Sequence, residues 1–509
     1  MKEEIKNEKK DENNKKKILI NIIYILSIIA LIIYIAEHSL NKIISYNDET
    51  TIFREVLQMA KGYKIYKDIN VLVTPLYFYF GEVFLKVFGQ TLLSYRILEI
   101  CIVVFYMFSV LYVLKALKIK KNARIFFMIN ILVIQSEIIG ENANYNVLAI
   151  SLSLISIGMM IKHFNQTDNE ENQHEQKIRN PKYYIIQGIM LFLIYMSKQN
   201  IAAYHFIGFV VIEFAFNKES AKEKTKNIIT YILSALVLVI LYGLILLAMG
   251  SLNSFIDYTI LGMLDFKENY SFESPLILLV IINIIPVLIG WYKKKIDINQ
   301  KSIFIFSVLM LLIDYPITCI QHTLFAFSFT LISFSYYIYK LVESYDGEKF
   351  KEILSEIILA IVTCMSVYIV AISIPRIKDW KQNMIQDRES PYYGAKYDNV
   401  AYEAIRTIDS YILSQNKNIV IVSPKASFYN LPLGKYNGIL DLPLKGNVGY
   451  KGDQKIMEAL EKLDDDTLIM TTVGKYDQEY DNVKRYFIQN YAIVDEKEGV
   501  EKYIILERR

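Results

Sequence analysis

The chain has 509 residues, 53% of them hydrophobic, with a mean hydropathy of +0.26. This is too apolar for a soluble protein with only two Trp; the formal charge is only +3, and the lysines sit between apolar runs instead of forming a stripe for nucleic acid. No nucleic-acid partner is expected, and Cys101, Cys319 and Cys364 all lie in apolar runs without disulfide or zinc spacing.

A polar tail, residues 1–17, precedes the first apolar run, Ile18–Leu40. That run is long enough for a hydrocarbon core of roughly 30 Å. It is longer than a signal h-region, and Ala-Glu-His-Ser is a poor cleavage sequence, so it reads as a retained anchor. Lys15, Lys16 and Lys17 hold its start on the cytoplasmic side.

The first outer loop follows, residues 41–91. Ser45-Tyr-Asn-Asp48 has the form of a capping box. Phe53, Val56, Leu57 and Ala60 then recur at helical spacing, and Gly62 supplies a stop. Arg54, Glu55 and Gln58 fall on the opposite side, the pattern of an amphipathic helix lying in the membrane interface. A second such element, Pro75–Phe88, is broken by Glu82 and Lys86 and is too short and charged for a crossing.

Further apolar runs are Leu92–Leu117, Ala123–Gly140, Tyr145–Ile161, Tyr183–Met196, Ile201–Phe216, Ile228–Met249, Pro275–Trp291, Ile303–Ile313, Thr318–Ile338 and Ile353–Ile374. With the first run they make about eleven spans by length and hydropathy. Lysine clusters at 115–121, 218–226 and 293–295 fall on the cytoplasmic side if the N-terminus is inside. An odd number of spans then places the tail outside.

That tail, 375–509, alternates helical spacing (401–414, 455–463, 483–489) with β-rich runs (418–422, 468–473, 503–506). It reads as a small extracytoplasmic α/β domain with a parallel or mixed sheet. The expected fold is therefore mainly α: a polytopic bundle over 18–374 with interfacial helices in the first outer loop, followed by this domain. Gly446–Gly452 lacks a preceding strand and reads as a tight surface loop, not a nucleotide site.

Acids in a first helical turn are favoured by the macrodipole, by about 0.3–1 kcal/mol each, so Asp48-Glu49 alone signals a helix start. The series Asp48-Glu49, Ala60-Lys-Gly62, Tyr66-Lys-Asp68, Pro75-Leu76 and Tyr95-Arg96 resembles the first-loop signature of GT-C membrane glycosyltransferases. The branch it resembles holds the protein O-mannosyltransferases and the bacterial aminoarabinose transferases of lipid A. The resemblance covers the N-terminal 200 residues or so. It implies transfer of a sugar from a polyprenyl-phosphate donor, with inversion, to a cell-envelope glycan, lipid or protein outside a bacterial plasma membrane.

By the same resemblance Asp48 is the general base and Glu49 assists it; Tyr66 and Asp68 belong to the motif. A departing phosphate calls for outer cations. Arg96, Lys198 with Gln199 in the Ser-Lys-Gln turn, and His322 in a late span are the candidates, although each also suits a snorkelling or interhelical role. Relatives often carry Arg where this chain has His322. Glu141 in the next outer turn is either a ligand for a substrate hydroxyl or a solvated loop acid. Asp48 with Glu141 could bridge a divalent ion (Mg or Mn) as in some GT-C branches, but no ligand cluster requires it and no metal is assigned. The rival function is a transporter or flippase for lipid-linked sugars; the internal repeats common in transporters are not evident.

Overall fold

The computed structural model describes residues 2–44, 48–136, 143–171, 181–264, 281, 285, 297–314, 320–472, 480–499 and 501–509. Helix α1 (Lys2–Leu40) is followed by two short helices, α2 (Asp48–Ala60) and α3 (Leu76–Phe88). The bundle continues with α4 (Leu92–Ala116), α5 (Lys121–Ile134), α6 (Tyr145–Glu171), α7 (Pro181–Ser197), α8 (Gln199–Phe216) and α9 (Ala221–Ala248). The short α10 (Leu252–Ile256) leads to α11 (Ile298–Met310), α12 (Ile320–Glu343) and α13 (Glu348–Asn383).

Among the described residues, seven helices are long and apolar enough to cross a membrane: α1, α4, α6, α8, α9, α12 and α13. Of the other expected spans, α5, α7 and α11 have 14, 17 and 13 helical residues. Pro275–Trp291 lies largely outside the described residues. The apolar stretch of α6 is 72% buried and that of α9 only 22%. Thus α6 forms the centre, while α9 turns Leu236, Val237, Ile240, Leu241 and Leu244 outward, as a lipid-facing helix does.

Helices α1 and α13 pack in parallel. Lys16 pairs with Glu356 (2.9 Å), Ser366 donates to Ser27 (2.8 Å), and Arg376 meets Glu37 (3.5 Å). The sequence offset stays at 340, 339 and 339 along the contact, so both helices start at one face of the bundle and end at the other. At the starting face lie Lys120–Glu343 (2.9 Å) and Lys340–Asp297 (3.4 Å). At the far face lie the described residues of 41–91, the turn at Lys198 and the described residues after Asn383.

Helix α13 runs through the exposed Pro375, past the expected end of the bundle at 374. The tail then forms α14 (Asn399–Ser414), β1 (Ile419–Val422), α15 (Ala426–Asn430), α16 (Gly452–Glu461), β2 (Leu468–Thr471), α17 (Asp481–Asn490), β3 (Tyr491–Glu498) and β4 (Lys502–Arg508). The sheet order is β1-β2-β4-β3, parallel at β1–β2 and antiparallel elsewhere, hence mixed. Strand β1 is buried on both faces, as expected of a strand between helices. Strand β3 opens on the short apolar run 491–494 but ends in Asp-Glu-Lys-Glu, and it is not among the expected strands.

The α/β domain is seated on the bundle's far face. Leu92 and Leu93 N–H donate to the Pro391 and Tyr393 carbonyls (2.8 and 2.9 Å), and Tyr436 donates to the Asp68 carbonyl (2.8 Å). The glycine loop, expected to be free surface, packs against residues 257–263. A Cβ on Gly262 would come within 2.8 Å of the Gly446 carbonyl oxygen, so only glycine permits that approach. Tyr450 N–H donates to Asp257 (3.2 Å), which also pairs with Lys455.

Candidate active site

Helix α2 is the element on which the site is built. Its apolar positions Phe53, Val56 and Leu57 are buried against the bundle as their spacing demands. Its polar side is not in the interface, however: Arg54, Glu55 and Gln58 are buried too. The reading of α2 as a half-exposed interfacial helix is corrected accordingly, because the α/β domain covers the side that would have faced water. Ser45 and its capping box lie outside the described residues. Helix α3 keeps the interfacial character, with Phe80, Val83, Val87 and Phe88 exposed.

Asp48 opens α2. It is solvent-accessible yet closely surrounded by protein, which places it in a recess rather than on a convex surface. Burial raises its pKa above the ordinary aspartate value, and the nearby Lys198 ammonium opposes that shift. Glu55 lies two helical turns further along the same side of α2. Burial pushes its carboxyl up to about 8, against the pull of Arg54 and with the help of Asp48. Tyr145, at the start of α6, lies within electrostatic reach of both acids.

Lys198 caps the start of α8, donates to Asn146 Oδ1, and sits 5.5 Å from the Tyr145 ring centroid. This brings a cation and a helix N-terminus to the Asp48 recess, two features that favour an anion. Gln199 next to it ties the loops together, donating to the Leu72 and Thr259 carbonyls (3.2 Å each).

Glu49 faces the other way. Arg96 grips it in a bidentate pair (2.9 and 3.0 Å) and Lys42 lies 3.0 Å from the same carboxylate. Lys42 also pairs with Glu99 at 2.7 Å. Burial works to raise the Glu49 pKa, but Arg96 and Lys42 prevail and hold it at about 2. Arg96 donates in addition to the carbonyls of Leu40 (3.4 Å), Lys42 (2.8 Å) and Ile43 (3.0 Å) and is fully buried. Its guanidinium is committed to the α1–α2 junction, so its assignment to a phosphate is not carried forward.

Tyr66 is buried with a positive φ of 65° and donates to the Val73 carbonyl (2.7 Å). Asp68 accepts from Lys64 N–H at 2.8 Å. Both shape the turn after α2. His322 lies in the first turn of α12, its ring 6.3 Å from Phe325. Glu141 lies outside the described residues. Among the described residues no three His, Cys, Asp or Glu side chains converge as metal ligands.

Residues that sequence reasoning passed over are Lys42, Glu99, Tyr145, Asn146, Tyr436 and Asp441; Arg54 and Glu55 it placed on an exposed face. Arg54 is fully buried, with Nη1 2.7 Å from Asp441 Oδ2 and the guanidinium 5.3 Å from the Tyr436 ring centroid. The only available signal was their charge inside an otherwise apolar helix pattern.

No family model matches the chain, and no curated protein matches it in sequence. Its fold is similar to that of ArnT from Cupriavidus metallidurans. The apo crystal structure superposes with a TM-score of 0.56 at 8% identity, over 96% of this chain and 98% of ArnT. The structure of ArnT bound to undecaprenyl phosphate gives 0.53 at 8% identity over the same shares. The similarity covers nearly the whole of both chains, so the present chain shares the fold of ArnT from the first helix to the α/β domain.

Proposed function

We propose that this chain is a membrane glycosyltransferase that moves a sugar from a polyprenyl-phosphate donor to a cell-envelope glycan, lipid or protein. The reaction is a single inverting displacement on the outer face of a bacterial plasma membrane. The observation that carries it is Asp48: a carboxylate of raised basicity in a recess, facing Lys198 at a helix N-terminus. ArnT, whose fold is similar, has been seen with undecaprenyl phosphate bound.

In this reading the donor phosphate rests at the Lys198 end. Asp48 takes the proton from the acceptor hydroxyl as its oxygen attacks the anomeric carbon. The bond from that carbon to the phosphate oxygen breaks, and polyprenyl phosphate leaves with the electron pair. A raised pKa makes Asp48 a stronger base once it is ionised. Glu49 acts at one remove, by fixing the start of α2 through Arg96 and Lys42.

Outer-face placement is supported by the lysines. Lys15–Lys17, 115–121 and 218–226 gather at the face opposite the α/β domain, as the positive-inside rule asks. Helices α5, α7 and α11 each have one end at that face. Counting them with the seven long helices gives ten crossings among the described residues, and the expected apolar run Pro275–Trp291, largely outside those residues, would bring the number to about eleven with the C-terminal domain outside.

Purified protein in nanodiscs, given radiolabelled polyprenyl-phosphate sugars, should release free polyprenyl phosphate. Asp48→Asn should lower that release by about 10²–10⁴-fold with the protein still folded. The acidic limb of the wild-type pH–rate profile should lie above that of an ordinary aspartate. Full activity in Asp48→Asn would remove Asp48 from the mechanism. Movement of intact donor across liposomes without cleavage would point to a transporter.

A further inference from the structure

The far end of α13 carries a cleft that the displacement just described does not use. It lies between the last turn of α13 and the first turn of α14 and has a volume of about 450 Å³, within the range of small-molecule sites, roughly 300–1,000 Å³. Tyr397 and Tyr402 line it with ring centroids 5.2 Å apart and planes tilted by 50°. The backbone around it is fixed. Ile385 N–H donates to the Ala395 carbonyl (2.9 Å), Gly394 N–H to the Ile385 carbonyl (3.0 Å) and Tyr397 N–H to the Asn383 carbonyl (2.8 Å). The Trp380 indole N–H closes on the Gly394 carbonyl (2.8 Å). A ligand therefore loses little affinity to ordering the chain.

The lining selects the ligand. Tyr397 is 44% exposed, and a tyrosine ring is apolar on its faces with a polar tip. A pyranose matches it, with C–H groups gathered on its faces and hydroxyls around its edge. Gln382, Asn383 and Gln386 add amides that both donate and accept, as hydroxyl groups do. Gln382 and Gln386 are exposed and, among the described residues, make no side-chain hydrogen bond. Ile385 is buried and Met384 half-buried, which leaves the exposed lining polar and aromatic. Among the residues lining the cleft Asp387 alone is charged, so a phosphate or carboxylate would meet an acid and no cation.

The position suits an acceptor. Gln382 stands about 12 Å along the α13 axis beyond Ile374, the end of the expected span. Lys396, next to Tyr397, is bridged to Ile43, and from Ile43 the chain reaches Asp48 within at most about 18 Å. We propose that this cleft is a subsite for a neutral oligosaccharide, holding the body of a glycan acceptor while its terminal hydroxyl reaches Asp48. Sugar binding stands on the cleft alone; the acceptor role rests on the glycosyltransferase reading.

Saturation-transfer NMR on the full chain in nanodiscs, without donor and with empty nanodiscs as the blank, tests the binding. Of the probes chitohexaose, cellohexaose and mannohexaose at least one should bind, and dextran sulfate should not displace it. Tyr397→Ala should weaken that binding about tenfold, the loss of one stacked ring, with an unchanged Tm. Tyr397→Phe should keep it, and so should Tyr450→Ala, which removes an exposed tyrosine of the glycine loop. No binding of any of the three sugars, displacement by dextran sulfate, or full binding by Tyr397→Ala would each overturn the proposal. In the donor-cleavage assay the bound sugar should speed release of polyprenyl phosphate, with a KM for the sugar about tenfold higher in Tyr397→Ala and kcat kept. Cleavage that the sugar does not speed would overturn the acceptor role. A chain that binds sugar and cleaves no donor would strike the glycosyltransferase reading and leave the sugar site standing.

Discussion

Asp48 and Glu49 are neighbours in sequence, but one helical step turns their side chains about 100° apart. One carboxyl opens into the recess; the other is sealed among Arg96, Lys42 and Glu99. Removing the sealed one should be costly, because the fully buried Arg96 loses its carboxylate partner and Lys42 loses one of its two. We expect Glu49→Gln to destabilise the protein by about 3–5 kcal/mol, read as a lower Tm in nanodiscs. The pH dependence has a definite sign. The carboxyl is depressed from 4.5 to about 2 in the folded state, so its stabilisation is complete above the unfolded value and is lost as pH falls toward about 2. A Tm unmoved by Glu49→Gln would show that Arg96 and Lys42 find other partners.

At the scale of elements, α2 is a joint rather than a surface helix. It touches the bundle through its apolar side and the α/β domain through Arg54, whose partner Asp441 also accepts from Asn430 (2.7 Å) and Asn437 (3.1 Å). A tether of this kind reveals itself in a double-mutant cycle. Arg54→Met alone should cost about 3–5 kcal/mol by stranding a buried carboxylate, and adding Asp441→Leu should recover most of it. Thermal unfolding and limited proteolysis of the α/β domain would measure both. Additive losses would mean that the two residues hold the domain independently.

For the whole molecule, the parallel pairing of α1 and α13 puts the ends of both helices, and with them the first loop and the tail, on one side. Single cysteines introduced into a background lacking Cys101, Cys319 and Cys364 test which side that is. Lys64→Cys and Gln454→Cys should react with a membrane-impermeant maleimide on intact cells; Lys222→Cys and Lys349→Cys should react only after permeabilisation. Labelling in the reverse pattern would place Asp48 in the cytosol and remove the outer-face setting of the proposed reaction.

The spans, the acids of the first loop and most of the α/β tail were legible because each is a local matter of hydropathy, period or charge. Strand β3 was not. Its sequence, Tyr491–Glu498, ends in Asp-Glu-Lys-Glu and suits an edge strand paired on one side by β4. The last apolar run reads as Ile353–Ile374 with the tail starting at Pro375, and helix α13 continues through the exposed Pro375 to Asn383. Sequence by itself determined that this is a membrane-spanning helical chain with an acidic first loop and a folded tail. The burial of Arg54 and Glu55, the split between Asp48 and Glu49, and the approach of Lys198 were decided by tertiary structure alone. The reason is that burial and pairing of a charge depend on segments far away in sequence, as with Asp441 covering a helix that begins at residue 48.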